Sequence, residues 1–473
     1  MNDETTNFFF YDLETSGLDA REDRIMQFAG QRTDLELNPI GEPVNLLIKL
    51  PDDTLPSPGA IAVTKITPQS TQEGQTEAEF CRYVTDEIFT RGTCVLGYNS
   101  VRFDDEFMRH LFWRNFYDPY EWQWKDGRSR WDLLDVVRLT RALRPEGINW
   151  PTQEKEIERA GKKQTIEVKT NRLELITKLN NIEHKHAHDA LADVCATIAV
   201  ARLIKEKQPQ LFEYLFKMRD KKLVAKLVNL ENPVPFVYAC GRYSSEYDKT
   251  TVAFPVAPAK NGNVLVWDLR YDISEFAGAK KGDAEQGQKS LYPRLKELRF
   301  NHCPAVAPLS VLDKDNGWEK IGLSKEIIDQ NLKSLLQHQD IITMACAEIE
   351  NRPEFPPAID AESALYDGFL NDVDRRYCGI IRSADKNQLA DYHPDFTDAR
   401  LEPLLLHYKG RNFPDTLSEQ EQAEWEKYRL ERLKRQSISF EKGLQAISQR
   451  PDVDQFITEE LLLWYQSLAG TDY

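Results

Sequence analysis

Phe8-Phe9-Phe10-Tyr11-Asp12-Leu13-Glu14 sets four aromatic residues in front of two acids, and Thr15-Ser16-Gly17 ends the run. A short apolar run closed by turn residues reads as a buried strand. Side chains alternate across a strand, so Asp12 and Glu14 face the same way and form a carboxylate pair at its end. Solvated acids are common at strand ends; the aromatic run before this pair makes the strand a central one. Arg24 to Thr33 and Val44 to Lys49 read as the next two strands, joined by short polar connections as an antiparallel meander. Helical patterns follow at Glu77–Phe89, Asp104–Asn115, Asp132–Leu143 and Asp189–Lys205, with a strand at Thr93–Tyr98. Strands first and helices interleaved later predict an α/β fold, a mixed sheet covered by helices.

The rest of the chain changes character twice. From Pro233 to Pro308 it carries short apolar strands (Phe236–Tyr238, Val252–Phe254, Val264–Trp267) between Pro/Gly turns, which predicts a small β-rich domain. Phe276 to Ser290 reads as an exposed loop. After Pro353-Glu354-Phe355-Pro356-Pro357 the pattern is helical, clearest at Ala361–Phe369, Ser418–Arg435 and Gln455–Ser467. The expected domains are 1–205, 206–355 and 356–473.

Composition narrows the class. A chain of 473 residues exceeds one ordinary core, and 41% hydrophobic content with 10% aromatics is globular. No apolar run reaches bilayer length, and the N-terminus lacks the features of a secretory signal. Seven scattered cysteines without a Cys-x-x-Cys pair argue for reduced thiols in a cytoplasm, and against a zinc module or disulfide scaffold. The net charge of −16 leaves a nucleic-acid role open, because net charge does not report the field of a cleft.

Two further patches join the first pair. Asp104 follows the strand ending at Tyr98 and stands where a helix begins; Asp105 beside it reads as an N-terminal cap. In His188-Asp189-Ala190-Leu191-Ala192-Asp193, a continuous helix would hold His188 and Asp193 about 140° apart. The spacing works if His188 lies on the loop, Asp189 caps the helix and Asp193 sits one turn in. Asp12, Glu14, Asp104 and Asp193 are then hard oxygen ligands suited to Mg²⁺ or Mn²⁺. Such ions could activate a water molecule, with His188 as a movable general base beside them. A rival is zinc at His184-Lys185-His186-Ala187-His188-Asp189, but H-x-H-x-H-D departs from the H-x-H-x-D-H of the metallo-β-lactamase fold. His184 and His186 read instead as exposed loop residues.

Together, D-x-E at Asp12 and Glu14, the Asp104 patch and H-x4-D at His188 and Asp193 resemble the DEDDh exonucleases, which implies a ribonuclease H-like fold for residues 1–205. Gly97–Glu106, Arg114–Tyr120, Ser129–Asp135, Ala142–Pro151, Leu365–Phe369 and Arg411–Pro414 are similar to the bacterial exonuclease I family. The resemblance spans the chain, apart from a Lys/Glu-rich stretch from Thr152 to Thr170 and the loop from Ala277 to Ser290. It implies an exonuclease domain, an SH3-like β barrel and an α-helical C-terminal domain. It further implies processive 3′→5′ hydrolysis of single-stranded DNA to 5′-mononucleotides, in DNA repair, with two Mg²⁺ ions.

The block from Arg102 to Arg144 interleaves bases with aromatics: Arg109, Arg114, Tyr117, Tyr120, Trp122, Trp124, Arg128, Arg130, Trp131, Arg138 and Arg141. Cations hold phosphates and aromatic faces stack on unpaired bases, although several of these aromatics belong to the core on the plainer reading. By resemblance, Arg109, Tyr120, Trp124 and Arg138 match DNA-contacting positions, and Glu14 and Arg172 substrate-contacting ones. Arg144 and Tyr214 match positions that dock the C-terminal tail of single-stranded DNA-binding protein. A monomer is expected. Alternatives are a proofreading or RNA-trimming DEDDh nuclease, and a degenerate nucleic-acid binding module without activity; all five motif residues being present speaks against the last.

Overall fold

The computed structural model describes residues 5–159, 162–184, 189–276, 294–350 and 357–469. The chain divides into two compact units, one made of Met1–Ser129, Lys185–Cys195 and Pro356–Tyr473, the other of Arg130–His184 and Ala196–Phe355.

In the first unit, β1 (Asn7–Thr15) lies between β2 (Ile25–Thr33) and a later strand, as its aromatic content requires. β2 runs antiparallel to it, Asp12 opposite Ala29 and Glu14 opposite Gln27. β3 (Val44–Leu47) continues the meander on β2, as expected, and β4 (Thr93–Gly97) pairs with β1 in parallel, Phe10 opposite Leu96. Within this unit the sheet order is β3–β2–β1–β4, and β5 (Ser129–Asp132) begins on the last residue of this segment. Phe9, Tyr11 and Leu13 pack with Phe28, Phe80, Phe89, Phe107, Leu111 and Trp122. Gly30 is required there: a Cβ would stand 2.3 Å from the Phe9 ring. The helix Glu77–Tyr83 starts on a capping box, in which Thr76 and Glu79 each satisfy the other's backbone N–H.

The C-terminal helices complete the same unit. Leu433, Phe440, Ile447, Leu461 and Trp464 form one cluster with Met26, Leu50, Leu55 and Ile61. Leu365, Ile381, Leu401, Leu404 and Tyr408 form another with Trp113 and Phe116. Each such side chain contributes about 1.5–3 kcal/mol when fully buried. Between these clusters runs a network of buried charges. Arg24 meets Glu362 at 2.7 Å, Arg114 meets Glu77 at 2.7 Å, and Arg411 meets Asp53 at 2.5 Å. Arg432 reaches Asp53 at 3.4 Å and Glu22 at 3.3 Å, and His407 reaches Glu362 at 3.1 Å. Burial alone would raise the Glu362 carboxyl, but the Arg411 and Arg24 guanidiniums and the His407 hydrogen bond hold it well below the carboxylate range. Ala361–Phe369, expected as a helix, is a turn followed by one 3₁₀ turn at Leu365–Asp367, with Ser363 bonded to Asp360 at both ends of the turn.

The second unit contains the Lys/Glu-rich stretch, which folds as an antiparallel hairpin of β6 (Thr152–Arg159) and β7 (Lys162–Lys169). Its larger sheet has the order β11–β10–β9–β8–β12, all antiparallel: β8 (Phe236–Ala239), β9 (Thr250–Pro258), β10 (Val264–Asp268), β11 (Leu295–Leu298) and β12 (Ala305–Pro308). Phe236, Tyr238, Val264, Val266, Leu298 and Val306 make its core. The three short apolar runs seen in the sequence are β8, β9 and β10. Helices Lys325–Gln337 and Gln339–Glu350 follow the sheet, earlier than the helical pattern was expected to begin. The loop read between Phe276 and Ser290 lies, after Phe276, outside the described residues.

Candidate metal centre and nucleic-acid surface

β1 delivers Asp12 and Glu14 two residues apart, both half-buried. Asp193 comes from the first turn of the helix Ala190–Lys207, and Asp189 caps that helix by accepting from the Ala192 N–H at 3.1 Å. One carboxylate oxygen from each of Asp12, Glu14 and Asp193 lies within 4.8 Å of the others. Asp104, buried at the start of the helix Asp104–Arg114, accepts from the Leu13 N–H at 3.2 Å and so is fastened to β1 between the two acids. Asp105 is not the cap expected of it: its Oδ1 accepts from the buried Tyr11 hydroxyl at 2.7 Å and ties helix to strand.

This arrangement stores repulsion. Burial, then Asp104 and Asp193, push the Asp12 carboxyl well above the carboxylate range. Burial, with Asp12, Asp193 and Asp189 alongside, raises Glu14 to about 9. Four carboxyls with oxygen-only donors, two of them driven toward protonation, fit a divalent cation, which would restore their charged forms. His188 and His186 lie outside the described residues. His184 is half-buried rather than an exposed loop residue, its Nδ1 3.1 Å from the Thr177 hydroxyl.

The basic and aromatic block splits in two. Trp122 and Trp131 are core, Trp122 stacked on Phe89 and Trp131 against Phe212. Arg114 and Arg141 are buried too, spent on Glu77 and on Asp248 at 2.9 Å. Trp124, by contrast, is 63% exposed. Tyr120 is half-buried, with the Arg109 guanidinium 5.8 Å from its ring centre and Phe369 6.0 Å away. Arg109 is itself buried, paired with Glu106 and donating to Gln123 at 3.1 Å. The Tyr366 hydroxyl also donates to Glu106, and Phe369 is 81% exposed. Sequence reasoning did not single out Tyr366 and Phe369; their only signal was their place in a segment similar to the family.

In the second unit, Arg138 is half-buried and paired with Asp135. Arg172 is exposed and pairs with Glu174 at 2.7 Å. Arg144 pairs with Asp315 at 3.4 Å, and the Tyr214 hydroxyl donates to the Val306 carbonyl at 3.1 Å.

Three family descriptions match the chain: an exonuclease family over residues 9–201, the exonuclease I SH3-like domain over 219–349, and the exonuclease I C-terminal domain over 359–468. Exodeoxyribonuclease I of Haemophilus influenzae is 39% identical over 455 residues, covering 93% of each chain. The Escherichia coli protein of the same name is 38% identical over 443 residues, 91% of this chain and 90% of that one. A crystal structure of E. coli exonuclease I with a dA16 oligonucleotide superposes with a TM-score of 0.88 at 35% identity, covering 98% of this chain and 100% of that chain. A moderately thermophilic exonuclease I from Methylocaldum szegediense gives 0.86 at 37% identity, with 98% and 100% covered. Human mitochondrial oligoribonuclease is 37% identical over 120 residues, only 22% of this chain.

Proposed function

The chain belongs to the exonuclease I family, and from that premise we propose that it degrades single-stranded DNA processively from the 3′ end to 5′-mononucleotides. The observation that carries this reading is the convergence of Asp12, Glu14 and Asp193 within 4.8 Å in the exonuclease region, with Asp104 fastened beside them. These four acids would hold two Mg²⁺ ions, with Mn²⁺ a substitute. The bound metal supplies neutralising charge, an activated water and stabilisation of the leaving 3′-oxygen.

The protein's own groups do the rest. His188, five residues before Asp193, accepts the proton of the attacking water. Glu14 and Arg172 contact substrate. Trp124 and Phe369 offer exposed faces, and the half-buried Tyr120 a partial one, on which unpaired bases stack without regard to sequence. Arg109 stiffens Tyr120 from beneath, and Arg138 takes a backbone phosphate. Arg144 and Tyr214 dock the C-terminal tail of single-stranded DNA-binding protein. The same reading keeps domains at 1–205, 206–355 and 356–473, a monomer, a role in DNA repair, and a cytoplasmic enzyme. None of the seven cysteines forms a disulfide, and no helix among the described residues is long and apolar enough to cross a membrane.

The test is digestion of 5′-labelled and 3′-labelled single-stranded DNA, duplex DNA and matching RNA, with Mg²⁺ or EDTA. Loss of label from the 3′ end of single-stranded DNA alone, abolished by EDTA, is expected. Faster digestion of short RNA would favour the trimming activity suggested by the oligoribonuclease match, and no cleavage at all would leave a binding module.

A further inference from the structure

The hairpin β6–β7 is the segment that the family resemblance leaves without a role. Strand alternation and its register sort the side chains. Lys155 shares one face with Gln153, Ile166 and Val168, while Glu154, Glu156 and Glu167 occupy the other. The hairpin is anchored at its base. Lys169, its last residue, pairs with Asp248 at 2.7 Å, and Arg141 pairs with the same carboxylate at 2.9 Å. Asp248 is thus neutralised twice over, whereas Lys249 next to it has no acid partner among the described residues. Asp248 and Lys249 both adopt left-handed backbone (φ 50° and 58°), a conformation uncommon for residues with a side chain. Lys249 is held there because its carbonyl accepts from the Cys240 N–H at 2.9 Å. The next residue, Gly241, carries the Arg138 guanidinium across its open Cα: a Cβ would stand 2.8 Å from Nη2.

Arg138 and Lys249 therefore flank one stretch of backbone, Cys240–Gly241. Burial first, then the Arg138 guanidinium and, more weakly, Lys155 depress the Lys249 ammonium, against the Cys240 thiol. Such mutual repulsion among cations is relieved by an anion, and a chain of phosphates is the anion that a nuclease meets.

We propose that Lys155 of the hairpin and Lys249 of the β8–β9 turn extend the Arg138 position into a phosphate-binding ledge for the single-stranded DNA backbone. This rests on the reading of the chain as a single-strand DNA exonuclease. The acidic face of the hairpin fixes the polarity of the contact, since Glu154, Glu156 and Glu167 would repel a strand laid against that side. The hairpin is then a device for gripping substrate.

The experiment measures affinity of the full chain for a fluorescent single-stranded oligonucleotide in EDTA across a salt series. Each phosphate contact on a single strand contributes about 0.7 to the slope of log K against log salt. The double variant Lys155→Gln, Lys249→Gln should lower the slope by about 1.4, two such contacts. Lys163→Gln, which removes the same charge from the acidic face where Lys163 lies 3.8 Å from Glu156, should leave it unchanged. Equal slopes for wild type and double variant, or an equal loss in Lys163→Gln, would overturn the ledge while the nuclease reading stands. Wild-type protein that neither binds nor cuts single-stranded DNA would instead overturn the nuclease reading.

Discussion

Replacing Glu14 with glutamine should stabilise the metal-free protein at alkaline pH and leave it unaffected in acid. The Glu14 carboxyl is raised from an ordinary 4.5 to about 9, by burial first and by Asp12, Asp193 and Asp189 next. The folded protein keeps a proton that the unfolded chain releases above pH 4.5. The stability tied to this group is therefore complete below pH 4.5 and is lost as pH rises through 9. Every pH unit climbed between those two values costs about 1.4 kcal/mol, so by about pH 8 the wild type should have lost on the order of 3–5 kcal/mol at this site. Glutamine mimics the protonated carboxyl and removes that slope; Asp12, displaced in the same direction, still contributes a slope of its own, eased by the loss of the Glu14 charge. Urea denaturation followed by tryptophan fluorescence in EDTA, at pH 5, 6, 7 and 8, measures the difference. Saturating Mg²⁺ should invert the order, because a ligand that binds only the folded state stabilises by mass action and the variant has lost a ligand. Parallel pH profiles for the two proteins in EDTA would refute the electrostatic account of the cluster.

Asp12→Ala or Asp193→Ala should abolish cleavage in Mg²⁺ while DNA binding in EDTA persists, as read by gel digestion beside anisotropy. His188→Ala should slow single-turnover hydrolysis by about 10²- to 10⁴-fold with metal affinity unchanged, as calorimetry would show. Among the described residues, Glu362→Ala leaves the buried Arg24 only a 3.9 Å approach to Glu77 and Arg411 only Asp53 as acid partner, and should cost about 3–5 kcal/mol in urea titration. Burial, with Arg114 beside it, pushes His110 down to about 3, so its neutral form stabilises the fold above pH 6.5 and stability falls as pH drops below that value. His110→Gln should remove up to about 2 kcal/mol of the loss between pH 6.5 and 5.

What could be read from the sequence was short in range. Asp12 and Glu14 face one way because a strand has a period of two, and Asp189 could be placed as a cap because Asp193 follows at helical distance. Interactions between distant residues were invisible. Asp105 looked like a cap because its true partner, Tyr11, lies 94 residues away. Arg114 and Arg141 looked like phosphate-binding cations because nothing local shows that Glu77 and Asp248 wait for them. The hairpin was missed because its apolar positions are too few for alternation to outweigh its charge. Phe369 came without a role because its neighbour Tyr120 is contributed by a segment far upstream.

The buried pairing of Arg24 with Glu362 spans 338 residues, and that separation sets an order of assembly during synthesis. At about 5–20 residues per second, the ribosome needs roughly 20–70 s to make the intervening chain. For that time Arg24 and Asp53, both destined for full burial, must stay hydrated, and Met26, Leu50, Leu55 and Ile61 lack the C-terminal side of their cluster. The clustered carboxylates Asp12, Glu14 and Asp193 are encoded within the first 193 residues, yet the unit that packs around their strand is completed by helices encoded after Pro356. A nascent chain that has reached only Asp193 therefore carries the acids without the later half of the unit that packs around them.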